Sequence, residues 1–150
     1  MMFKTHLIFG ILAGLFFARA FIIEYSYLFV AVVAFFAIFP DIDMYKSKIG
    51  SKVKPISFIL NFLFGHRGFV HSLLFAFGIY GLFYFFVNST YAAASFIGFS
   101  SHLLLDGLSP DGIKPLFPFR PRINGIIRSN GIVDYALFFT FLAGIVWMLI

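Results

Sequence analysis

The sequence predicts an all-α fold. It reads as one integral membrane domain over residues 1–150: a polytopic bundle of about five transmembrane helices with a short interfacial or re-entrant helix and the N-terminus inside. Three observations predict it. First, 61% of the 150 residues are hydrophobic, 25 of them Phe, and only 11% are charged, with a mean hydropathy of +0.99. A soluble domain is usually about 45–50% apolar and about 25% charged, so the surplus apolar surface needs lipid. A soluble enzyme and a disordered tail are excluded, and with no cysteine so are a disulfide scaffold, a thiolate nucleophile and a Cys-ligated zinc. Second, the charges leave gaps of helical length. Third, the excess of 11 Lys and Arg over 6 Asp and Glu is distributed unevenly along the chain.

The spans follow from those gaps. Phe3–Ile23 is apolar apart from Lys4, His6 and Arg19, and Tyr25–Pro40 carries no charge. Gly68–Leu105 offers 38 positions without Asp, Glu, Lys or Arg, broken by Asn88-Ser89-Thr90, which reads as a helical hairpin with a turn. The predicted spans are about 4–23, 25–40, 68–87, 91–107 and 132–150, against the roughly 20 residues a spanning helix needs. Pro55–Gly65 is too short to cross and reads as the interfacial or re-entrant helix. Helices are the default because an open sheet cannot satisfy its backbone in hydrocarbon. Lys4 before an apolar stretch and Ala18-Arg19-Ala20 imitates a cleaved leader, but cleavage would discard His6, and the segment is read as a retained span.

Basic residues set the orientation. With the N-terminus inside, Lys4, Lys46, Lys48, Lys52, Lys54, Arg67, Lys114, Arg120, Arg122 and Arg128 all fall on the inner side, leaving Arg19 outside. The same excess suits anionic lipid and gives little reason to expect nucleic acid.

Ionisable residues at membrane depth are costly and usually mark function. Seven fall at the predicted inner ends of four spans: His6, Asp41, Asp43, His66, His71, His102 and Asp106. His102 and Asp106 are four apart, on one helix face one turn from each other. Asp41 and Asp43 follow Pro40, so an irregular segment can turn both toward a cation. His66 and His71 flank Gly68. Each has a plainer reading: an interfacial hydrogen bond for a histidine, a cap or turn for an Asp after Pro. Seven residues meeting in one layer favours a metal site, with His6, Asp41, His66, His71, His102 and Asp106 as candidate ligands. Nitrogen and oxygen donors without sulfur suit zinc best, with manganese or iron open, as one or two ions. Asp111, in a Ser-Pro-Asp-Gly turn, and Asp134, where an acid suits a helix dipole, have weaker claims. Glu24 lies on the outer side.

Together, Thr5-His6, Pro40-Asp41-Ile42-Asp43, His66-Arg67-Gly68 with His71-Ser72, and Ser101 to Asp106 with Gly112 and Pro118-Phe119 resemble the YdjM-like inner-membrane metal-dependent hydrolases. That family is distantly similar to the zinc phospholipase C and single-strand nuclease superfamily. The resemblance implies a helical fold, hydrolysis, and His and Asp ligands including the His102/Asp106 pair, with Asp41 matching an Asp from an earlier segment. The superfamily's fuller cluster uses more histidines, a Glu and an N-terminal amine, so the resemblance implies one or two ions here rather than three.

The expected function is therefore a membrane-bound metal-dependent hydrolase, cleaving a phosphoester of a lipid or lipid-linked substrate at the cytoplasmic face of the inner membrane. Asp43 is the spare carboxylate for a general base. Arg67 is placed to bind an anionic oxygen bidentately, and Lys114, Arg120 and Arg122 to gather phosphate headgroups. Two alternatives stand beside it. One is a divalent-metal transporter or sensor, although no polar residue continues across to the outer face. The other is a catalytically silent metal-binding protein that serves a partner.

Overall fold

Five α-helices form where the charge-free stretches lie: α1 Phe3–Ala20, α2 Ser26–Ile38, α3 Leu73–Phe86, α4 Ser89–Gly107 and α5 Ile132–Leu149. They are seen in a computed structural model that describes residues 1–43, 50–55, 58, 68–119 and 121–150. Short 3-10 turns cover Phe39–Asp43, Gly50–Lys52 and Phe69–His71. Among the described residues there is no strand, and one isolated bridge pairs Ile113 with Ile123.

Local chemistry sets the helix ends. α1 stops at Ala20, short of the expected 23, and just beyond it Ile22 takes a left-handed φ of 51°, which residues other than glycine rarely adopt. After α2, Pro40 brings no N–H to the helical ladder, and the chain tightens into the turn that carries Asp41. The third helix was expected from 68 and begins at Leu73, because Ser72 caps it there. The Ser72 hydroxyl accepts from Phe75 N at 3.2 Å and donates to the Phe69 carbonyl at 2.6 Å. Asn88 caps α4 by accepting from Tyr91 N at 2.9 Å, which makes the expected hairpin turn. The interfacial helix expected over 55–65 lies largely outside the described residues.

Among the described residues two helices, α1 and α5, are long and apolar enough to cross a membrane. At 13 and 14 residues, α2 and α3 reach only about 20 Å, against a hydrocarbon core of about 30 Å. α4 has 19 residues, but it spends several positions on Ser, His and Asp.

The packing is inverted relative to a soluble protein. α1, α2 and α4 contact one another, with α3 against α4 and α5 against α1. Small residues bring the central three close. A Cβ on Gly10 would collide with the Ala37 side chain, and one on Gly98 with the Val33 carbonyl and the Phe36 Cβ. Phe36, Ala76, Phe99, Leu103 and Ile113 form one buried cluster, and Ala18, Phe29, Val33 and Ala94 another. Phe85, Phe86 and Trp147 are more than four-fifths exposed. The segment between α4 and α5 folds back on the site end of the bundle: Gly125 N donates to Ser109 O at 3.0 Å, Ile127 N to Leu108 O at 2.9 Å, and Leu73 N to Pro115 O at 2.9 Å.

Candidate metal centre

Three elements converge on the last turns of α4. His102 and Asp106 stand on its inner face, His6 comes from the first turns of α1, and His71 from the 3-10 turn that Ser72 terminates. All four are almost fully buried. Burial on this scale is rare for such side chains unless they are paired or ligated.

His102 is held from behind. Its Nδ1 lies 2.8 Å from the Ala37 carbonyl, an acceptor only, so Nδ1 carries a proton and Nε2 is the ring nitrogen turned toward the centre. The close packing of Gly10 and Gly98 on α2 is what lets the Ala37 carbonyl come so near. Around that nitrogen stand His71 Nε2 at 3.2 Å and Asp106 Oδ2 at 3.6 Å. His71 Nε2 and Asp106 Oδ2 are 3.7 Å apart. Ligands held at about 2.0–2.2 Å around a tetrahedral ion lie about 3.4 Å from one another, so these three atoms form a triangle with the spacing of one coordination face.

The other oxygen of Asp106 faces α1. Its Oδ1 lies 3.2 Å from His6 Nε2 and 3.0 Å from the Met1 amine. The His6 ring stacks on His102 with centroids 4.1 Å apart, and neither of its buried ring nitrogens makes a hydrogen bond among the described residues. An unsatisfied buried polar group costs about 1–3 kcal/mol, and a cation shared with Asp106 would remove that cost. Asp41, half-buried, completes a second group: it, His71 and His102 each offer one ligand atom within 4.8 Å of the others. His6, His102 and Asp106 form a group on the same criterion.

The described structure thus brings together five of the sequence candidates, His6, Asp41, His71, His102 and Asp106. His66, Arg67 and Arg120 lie outside the described residues, as does the Asp43 side chain. Lys114 and Arg122 are exposed on the α4–α5 connection, and Arg122 donates from Nε and Nη2 to the Asp111 backbone carbonyl. The Ala37 carbonyl and the Met1 amine were not among the sequence candidates, since a main-chain group has no residue-type signal. Asp134 was credited only with the dipole of its own helix, although it is fully buried; its isolation in an apolar stretch was the available clue.

The chain matches the family described as YdjM inner membrane protein over residues 1–149. It is 44% identical over 93 residues to the uncharacterized protein YvsG of Bacillus subtilis (strain 168), covering 58% of this chain and 55% of that protein. It is 40% identical over 89 residues to the inner membrane protein YdjM of Escherichia coli (strain K12), covering 55% of this chain and 45% of that protein. The matched stretch spans about half the length of these curated relatives. No solved structure matches the chain. With nearly every residue inside the family match, the chain belongs to the YdjM inner membrane protein family.

Proposed function

We propose that this protein is a metal-dependent hydrolase of the inner membrane, multi-pass, acting on a phosphoester of a lipid or lipid-linked substrate from the cytoplasmic side. The observation that carries this reading is the triangle of His71 Nε2, His102 Nε2 and Asp106 Oδ2, with edges of 3.2, 3.6 and 3.7 Å. His6 and Asp41 stand beside it as further ligands or as partners to a second ion, and the donor set suits zinc, with manganese or iron open. The Ala37 carbonyl behind His102 is the kind of outer contact that fixes the ring of a metal ligand. When bound, the cation polarises a phosphoryl oxygen and lowers the pKa of a water toward about 7.

The remaining chemistry falls to side chains. Asp43, on the turn that carries Asp41, takes the proton of the attacking water as its oxygen bonds to phosphorus, and the ester P–O bond breaks to release an alkoxide that takes a proton from solvent. Arg67, between His66 and Gly68, pairs with the anionic oxygens that gain charge in that step. Lys114, Arg120 and Arg122 draw the headgroup toward the site. The reading of the ester as a phosphoester rests on the resemblance of the His102 and Asp106 pair to that of zinc phospholipases and nucleases.

A panel of phospholipids, polyprenyl phosphates and a generic phosphodiester, assayed with zinc or manganese, tests this reading. Turnover that is lost together with metal in His102→Ala, and lost with metal retained in Asp43→Asn, supports it. Metal flux into proteoliposomes that requires His102, without turnover of any substrate, overturns it in favour of a transporter.

A further inference from the structure

Asp134 is the one fully buried carboxylate among the described residues that lies outside the metal cluster. It is the third residue of α5, and its oxygens serve two helix starts at once. Oδ2 accepts from Met2 N at 2.9 Å and from Asn130 N at 3.0 Å, and Oδ1 accepts from Thr5 Oγ1 at 2.7 Å. α1 has no side-chain cap and no acidic residue in its first turn. The positive dipole end of such a helix start favours a carboxylate as its counterpart. Asp134 supplies that counterpart from the far end of the chain, 129 residues from Thr5.

The residue after Thr5 is His6. One turn of α1 is therefore gripped by two carboxylates, Asp134 on Thr5 and Met2, and Asp106 beside the His6 ring at 3.2 Å. We infer that Asp134 is a positioning residue of the metal centre: by fixing the first turn of α1 it sets where the His6 imidazole stands relative to Asp106 and His102. This rests on the metal reading above and adds to it a residue that reaches the metal only through α1.

The test is a double-mutant cycle on zinc affinity, measured by chelator competition on the full chain in detergent. Asp134→Asn places an amide N–H₂ among three donors, and Thr5→Val removes a single donor while keeping the side-chain shape. Each should weaken zinc binding, Asp134→Asn by about 10-fold or more, as loss of an outer contact typically does. In a His6→Ala background neither should cost anything further, because the residue through which they act is gone. Penalties that add to that of His6→Ala assign Asp134 a purely structural role and overturn the inference, as does unchanged affinity in both single variants. If Asp134→Asn does not fold, Thr5→Val decides the cycle by itself. A wild-type chain that binds no zinc overturns the metal reading itself, and this inference with it.

Discussion

α4 and α5 are nearly equal in length, 19 and 18 residues, and they use their surfaces in opposite ways. α4 buries Ser95, Ser101, His102 and Asp106 along with Ala92, Ala94, Phe99, Leu103 and Leu105, while α5 buries only Asp134 and Ile145. The rest of α5, including Phe139, Val146 and Trp147, is largely exposed. In water such an arrangement would be unstable. In lipid it is the economical one, because exposed apolar side chains lose nothing there and polar groups must find partners inside the protein. Between these two helices the buried polar side chains lie on α4, which carries the candidate metal centre, with Asp134 the one on α5.

That contrast can be broken most forcefully on α4. His102→Ala or Asp106→Ala removes a ligand, so metal affinity should fall by more than the roughly 10–100-fold that outer contacts control, as read by chelator competition. Next in size is the fit of α4 against α2. Gly98→Ala places a Cβ against the Val33 carbonyl and the Phe36 Cβ, and overpacking of this sort costs about 1–3 kcal/mol. Thermal unfolding in detergent should show a lowered midpoint, and because α2 carries the Ala37 carbonyl, metal affinity should fall with it. Ser72→Ala, at the other wall of the centre, removes the cap that starts α3 after His71 and should cost about 1 kcal/mol. On α5, Trp147→Ala should change stability by no more than about 0.5 kcal/mol and leave metal binding untouched. A large loss from Trp147→Ala would show that the exposed face of α5 is packed against protein, and the contrast between the two helices would need redrawing.

Much of this was legible in the sequence, for reasons that can be named. The five helices lie in gaps between charges, because charge is what lipid excludes. His102 and Asp106 announced themselves by a four-residue spacing on an otherwise apolar segment. The start of α3 was misplaced by several residues because Gly68–Ser72 is as free of Asp, Glu, Lys and Arg as the helix it precedes, and the Ser72 cap is what separates them. The role of the Ala37 carbonyl was not legible, since main-chain carbonyls are the same at every position. Asp134 was underestimated because its partners, Met2 and Thr5, lie at the opposite end of the chain and no periodicity links them.

The central claim is that the layer at the end of α4 holds a divalent cation through His71, His102 and Asp106. Elemental analysis of the protein purified in detergent without chelators, wild type beside His102→Ala, tests it most directly. The account predicts one or two equivalents of zinc, manganese or iron in the wild type and their loss in the variant. A wild-type protein that carries no metal even after incubation with zinc, or a variant that retains as much as the wild type, would contradict it.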